Sequence, residues 1–205
     1  MHRYQESEAP GESEVSGQDA DAAAVDGWVF GYGSLMWRPG FVYRDVMPAL
    51  LHDYHRSFCV YSRYYRGTSE RPGLVLGLAP GGSCHGLAFR VAATEFAAAR
   101  AYLDERELVS YAYISAYLPV ETPEGPVSAY TFVADPAHPQ YAGELDLDRA
   151  AEIIVGAQGT AGLNRDYLIE TVRRLEKEGF PDEQLYRLLR RIEHLTGILE
   201  AGSGI

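Results

Sequence analysis

The sequence predicts an α+β fold, a curled sheet or small barrel with helices packed against it. Three observations carry that expectation. Aromatic-rich apolar runs punctuated by glycine fill the chain up to Asp135-Pro136, a single helical stretch interrupts them, and beyond that point the apolar spacing changes to a helical period. No internal repeat of fixed period is present.

The elements follow in order. Trp28-Val-Phe30 is a short buried strand that runs into the glycine turn Gly31-Tyr-Gly33-Ser34. Arg56 to Arg63 reads as a second strand. Leu74 to Leu78 and Gly86 to Val91, separated by Pro80-Gly-Gly-Ser83, read as a β-hairpin with a glycine loop. Thr94 is the expected N-cap of a helix through Phe96, Ala99 and Leu103. Tyr111 to Val120 and Val127 to Val133 are strands joined by the Glu121-Thr-Pro-Glu-Gly125 turn. Helices are expected over Asp146–Ala157, Asn164–Glu178 and Asp182–Leu199, the last with an apolar stripe of Leu185, Leu188, Leu189, Ile192 and Leu195.

With 205 residues, 46% of them hydrophobic, the chain can build a core without a disulfide or metal staple. Its net charge of −11 disfavours tracking of phosphates or anionic membranes. Residues 1–27 hold seven carboxylates against Arg3 alone and almost no large apolar side chains, so they read as a disordered acidic leader. The expected organisation is that leader, a domain over 28–200, and a frayed end over 201–205. No apolar run approaches the ~18 residues of a membrane span, and the start lacks the basic-then-apolar pattern of a signal peptide. A soluble cytoplasmic protein is expected.

Among candidate reactive groups, the acidic end of the inserted helix stands out. At about 100° per residue, Glu107 returns to within about 20° of Phe96 and lies on the stripe of Leu103. Glu105 points the other way and Asp104 sits on the flank. A carboxylate turned toward an apolar wall has a raised pKa, as a general base or acid near neutrality needs. The alternative is a buried ion pair with Arg90 or Arg106. The glycine turn from Gly31 to Leu35 offers backbone N–H groups that can hold a carboxylate or oxyanion, or it is simply a tight turn leaving a sheet. It matches neither a dinucleotide fingerprint nor a phosphate loop, and Ser34 lacks the flanking glycines of a nucleophile elbow.

His52, His55 and Cys59 do not converge as metal ligands on a strand, because a spacing of three places the histidines on opposite faces. A nucleophilic pair from Cys84 and His85 is disfavoured likewise. Several of the 15 tyrosines fall in strands (Tyr61, Tyr113, Tyr117, Tyr130), as cross-strand partners or as hydroxyls lining a polar pocket. Tyr167, in the first turns of a helix opened by Gly159-Thr-Ala-Gly162-Leu-Asn164, serves helix packing or ligand contact.

Val29-Phe-Gly-Tyr-Gly-Ser-Leu35, Arg71-Pro-Gly-Leu-Val-Leu-Gly77, Tyr102-Leu-Asp-Glu-Arg-Glu107, Tyr141-Ala-Gly and Gly162-x-Asn164-x-x-Tyr167-Leu occur in this order. The ordered set resembles the ChaC-type, glutathione-specific gamma-glutamylcyclotransferases over roughly Trp28 to Leu199. The resemblance implies a small mixed β-barrel with flanking helices, no cofactor, and conversion of glutathione to 5-oxoproline and cysteinylglycine. The family's catalytic glutamate falls on Glu107. Its substrate-binding loop falls on Val29, Phe30, Gly31, Tyr32, Gly33 and Ser34, with Leu35 and Tyr167 completing the expected binding residues. No metal, nucleic acid, membrane or obligate protein partner is implied. This chain departs from the family's pattern at Ala161, where relatives often carry serine, and at Leu74, where many carry arginine. Two rival functions stay open: a non-catalytic γ-glutamyl or carboxylate-binding regulator, and a cyclotransferase for other γ-glutamyl compounds.

Overall fold

The structure is a computed structural model and describes residues 25–108 and 112–197. Five strands close into a barrel in the order β1-β3-β2-β4-β5. They are β1 (Gly27–Gly31), β2 (Asp45–Ser62), β3 (Gly73–Val91), β4 (Tyr113–Thr122) and β5 (Gly125–Ala134). All neighbours run antiparallel except at the seam, where β1 lies parallel to β5 with Trp28 opposite Ala129 and Val29 opposite Tyr130. Helix α1 (Ala93–Glu107) crosses from β3 to β4. Helices α2 (Leu147–Gly156), α3 (Asn164–Lys177) and α4 (Glu183–Thr196) follow the barrel, with a two-stranded β6–β7 ribbon (Gln158–Gly159, Gly162–Leu163) before α3. The α+β barrel with flanking helices expected from the sequence is the fold observed.

Alternation fills the interior. Phe30, Leu51, Leu78, Ala88 and Val120 pack inside the barrel, and each large apolar side chain so buried contributes about 1.5–3 kcal/mol. Leu168, Val172 and Leu175 of α3 and Leu185, Leu188, Leu189 and Ile192 of α4 form a second core with Phe58, Leu74 and Leu76 of the sheet. Ala99 and Leu103 bury the inner stripe of α1 against Val29, Phe89, Tyr130 and Phe132.

Several elements differ from the sequence reading. The hairpin expected around Pro80–Ser83 is absent, since β3 runs unbroken from Gly73 to Val91 and both halves pair with β2. Gly81 and Gly82 adopt positive φ (92° and 72°), opposite Asp53 at φ 65°, where the register slips between His52 and Tyr54. The glycines therefore form a bulge that bends a long ribbon around the barrel rather than reversing it. Strand β2 starts at Asp45, well before the expected Arg56, because Pro48 within the run disguises it as a non-strand segment.

The helix expected to be capped by Thr94 begins at Ala93, with Ala92 at the N-cap position. Its first N–H is taken by Asp26, whose Oδ1 accepts from Ala93 N at 3.2 Å. Asp26 also pairs with Arg44 and Arg90, each at 3.1 Å, so this residue, assigned from sequence to the leader, is tied to the folded part. Asp146 and Asp182 cap α2 and α4. Gly197 in the left-handed region ends α4. Gly27, also assigned to the leader, opens β1. Residues 1–24 of the leader, Tyr111, Leu199 and the expected frayed end lie outside the described residues.

Asn164 joins the layers. It is fully buried, its Oδ1 accepting from Leu74 N and its Nδ2 donating to Leu74 O, both at 2.7 Å. The side chain thus completes β3 as a strand neighbour would and fixes the start of α3 on the barrel. Each buried backbone group left unpaired costs about 1–3 kcal/mol. Asn164→Ala should therefore lower unfolding stability by about 2–5 kcal/mol, read from the urea midpoint at unchanged m-value. A loss under about 1 kcal/mol would show that the tie is dispensable.

Candidate active site

Glu107 is the last residue of α1, and the helix delivers it as the wheel requires. Leu103 on the same stripe is 0% exposed, whereas Glu105 faces water. Asp104, on the flank, accepts a hydrogen bond from Tyr130. The Glu107 side chain is 24% exposed and opens on a cavity of about 90 Å³. That cavity is walled by Tyr32, Gly33, Ser34, Leu35, Leu76, Tyr113, Phe132 and Tyr167. A water-sized group needs about 10–15 Å³ on this measure, so the cavity has room for several such groups in a row.

Burial pushes the Glu107 carboxyl above the usual glutamate range, and the neighbouring Arg106 guanidinium only partly opposes it. The negative end of α1 disfavours the ionised form further. Of the two ion pairs anticipated, the one with Arg106 forms, Nε to Oε1 at 3.1 Å, whereas Arg90 is engaged by Asp26. Arg106 also donates to Ser34 Oγ at 2.8 Å and to the Arg38 carbonyl at 2.7 Å. One planar fork therefore spans from the carboxylate to the glycine turn.

The turn itself enters a 3-10 turn, Ser34–Met36. The N–H groups that open such a turn have no acceptor inside it. Among the described residues, no protein acceptor is recorded for the N–H groups of Gly33, Ser34 and Leu35. Gly33 stands close to the wall: a Cβ there would meet Leu76 Cδ2 at 3.1 Å. Three phenols face the same space. Burial raises Tyr32 and Tyr113 well above 10 and also raises Tyr167, so all three are neutral hydrogen-bonding groups near neutrality. Tyr113 donates to the Leu76 carbonyl at 2.7 Å. Arg66 lies 5.0 Å from the Tyr167 ring centroid, and Phe58 packs at 5.5 Å.

The structure thus brings together Glu107, Tyr32, Gly33, Ser34, Leu35 and Tyr167 of the residues singled out from sequence. Val29 and Phe30 are 0% exposed, in two different apolar clusters, and neither they nor Gly31 line the cavity; they hold the strand from which the turn springs. Tyr113, Leu76 and Phe132 line it without having been singled out as site residues. For Tyr113 the signal was an aromatic in a strand with room for a hydroxyl, but Leu76 and Phe132 read as ordinary core. Leu74 is buried in the helical core, and exposed Ala161 offers its carbonyl to Arg66 at 2.6 Å.

Other groups are placed elsewhere. His52 pairs with Glu121 at 3.2 Å, and His55 Nδ1 hydrogen-bonds the Gly81 carbonyl at 2.9 Å. Among the described residues no cluster of three metal-ligating side chains forms. Cys59 and Cys84 are free and buried, their thiols pushed up by burial to about 12 and about 11, which leaves them poor nucleophiles. A hollow of about 230 Å³ between β2 and α4 collects Arg56, Arg187 and apolar side chains but no carboxylate able to accept a proton.

A family model described as ChaC-like protein matches residues 27–195. The glutathione-specific gamma-glutamylcyclotransferase of Escherichia coli (strain K12) is 33% identical over 182 residues, covering 85% of this chain and 79% of the relative. Glutathione-specific gamma-glutamylcyclotransferase 1 of Homo sapiens is 32% identical over 188 residues, covering 89% and 80%. A crystal structure of the glutathione-specific cyclotransferase from yeast has the same fold, with a TM-score of 0.72 at 21% identity over 83% of this chain and 99% of that one.

The raised carboxyl has a consequence for stability. Native Glu107 holds its proton more tightly than the unfolded chain does, so folding stability falls as pH rises from the ordinary glutamate value through the raised native one, and stays lowered above it. Glu107→Gln removes the ionisation that burial opposes. Its thermal midpoint should exceed the wild type's at pH 7–8, and the two should converge below about pH 4. Scanning fluorimetry across that range tests this; a constant offset at every pH would refute it.

Proposed function

The chain belongs to the ChaC-like protein family, and on that premise we propose that it is a glutathione-specific gamma-glutamylcyclotransferase, a lyase that releases 5-oxoproline and L-cysteinylglycine. The observation that supports this most directly is the half-buried Glu107 carboxyl, with its raised pKa, lining one small cavity together with the Gly33–Leu35 turn.

The γ-glutamyl unit enters the cavity, and cysteinylglycine lies beyond its mouth. Confinement folds the glutamyl chain so that its α-amine approaches its own side-chain carbonyl carbon, which replaces a bimolecular encounter with a ring closure. Glu107 takes a proton from the α-amine as its nitrogen bonds to that carbon. The oxyanion of the tetrahedral intermediate accepts from the N–H groups of the Gly33–Leu35 turn. Glu107 then delivers the proton to the cysteinyl nitrogen, the old amide bond breaks, and the lactam leaves. A carboxyl with a raised pKa suits both halves of this shuttle.

The nucleophile is the substrate's own amine, so the scheme calls on no cofactor and no protein nucleophile. Tyr32, Tyr113 and Tyr167 supply neutral hydrogen bonds to the glutamyl carboxylate and the neutral α-amine. The reading places residues 28–200 as the catalytic unit. It also places the protein in the cytoplasm, a compartment that suits two free buried cysteines, and gives it a small-molecule substrate without nucleic acid, membrane or obligate protein partner.

The test is release of 5-oxoproline by the purified chain, followed by mass spectrometry with glutathione and with γ-glutamyl-alanine. Glutathione should be consumed at least about 10-fold more efficiently. Glu107→Gln should lower kcat by about 10²–10⁴ while glutathione binding persists. Binding without product in the wild type would favour a regulator, and equal use of both substrates would favour a broader cyclotransferase.

A further inference from the structure

Arg56, in β2, is 4% exposed and does not line the Glu107 cavity, yet it grips the turn that does. Its Nε donates to the Tyr32 carbonyl at 2.6 Å, its Nη2 to the His85 carbonyl of β3 at 2.5 Å, and its Nη1 to Asp182 Oδ2 at 2.8 Å. The two backbone bonds and the carboxylate fix the guanidinium plane from three sides. Asp182 also caps α4, accepting from Gln184 N and Leu185 N.

A trans peptide is planar, with its C=O and N–H on opposite sides. Holding the Tyr32 oxygen toward Arg56 therefore turns the Gly33 N–H the other way. Gly33 lines the cavity, and its N–H meets no protein acceptor among the described residues. Glycine lies on both sides of Tyr32, so local sterics do little to prevent this peptide from flipping. A flip would replace a donor by a carbonyl oxygen at the place where negative charge develops. We infer that Arg56 is a positioning residue: it locks the Tyr32–Gly33 peptide so that the Gly33 N–H is aimed at the developing oxyanion, with Asp182 neutralising the buried charge that does so. This rests on the cyclotransferase reading above.

A purely structural ion pair would staple α4 to the barrel without touching chemistry, and a kcat-against-KM split separates the two roles. Arg56→Lys keeps a cation for Asp182 but loses the fork that holds two carbonyls and a carboxylate in one plane. The double variant Arg56→Met, Asp182→Asn removes both charges together, which buried pairs tolerate far better than the loss of one partner, and Asn preserves the α4 cap. Each variant is assayed for 5-oxoproline release from glutathione, with circular dichroism and a melting curve to select folded protein. The expected result is a kcat about 10–100-fold lower with KM within about threefold, less than the about 10²–10³ of outright donor loss because the Gly33 N–H is loosened and not removed. Should the double variant not fold, the lysine variant decides alone. Wild-type kcat in either folded variant, or a loss confined to the melting temperature or to KM, overturns the inference. A wild-type protein that releases no 5-oxoproline sinks the functional reading instead, and this one with it.

Discussion

The Glu107 carboxylate sits where water reaches only part of it, at the negative end of a helix, beside apolar walls of Leu35, Leu76 and Phe132. Each of these circumstances opposes ionisation. The neighbouring Arg106 offsets them incompletely. The group is thereby kept ready to exchange a proton, and the fold accepts a destabilising placement to keep it so. The remainder of the molecule can be understood as what is needed to hold that side chain and the N–H-rich turn at a fixed separation.

Two buried polar side chains do most of that holding, and both act on backbone. Asn164 completes β3 at Leu74 and so fixes the helix that bears Tyr167. Arg56 reaches across to the turn after β1 while its counter-ion begins α4. The helical layer is thus not a passive cover for the barrel. Its first residues are bonded to β3 and β2, which ties side chains distant in sequence to one rigid frame.

Much of this was legible in the amino-acid order. The helical period placed Glu107 on the stripe of Leu103, and the packing of α1 agrees. The acids at 146 and 182 signalled two helix starts. What escaped notice depended on partners remote in sequence. Gly81 and Gly82 resemble a turn locally, but β2 runs alongside both halves of β3, and pairing with a long partner converts the turn into a bulge. Asp26 looks like one more leader acid until Arg44 and Arg90 close around it. Arg56, flanked by His55 and Ser57, has no local pattern at all, and only the folded structure reveals that three segments meet at its guanidinium.

The barrel is sealed by a short parallel seam, Trp28 against Ala129 and Val29 against Tyr130. The turn that offers its amides hangs from one of those seam strands, and Tyr167 arrives from further along the chain. During synthesis the amino-terminal strand must therefore wait, unpaired along that edge, until β5 has left the ribosome, and the pocket stays incomplete until α3 follows. A nascent or truncated polypeptide that ends before α3 lacks the Tyr167 wall of the pocket. Competence arrives only with the finished tertiary structure, which makes proofreading of the fold and licensing of the chemistry a single event.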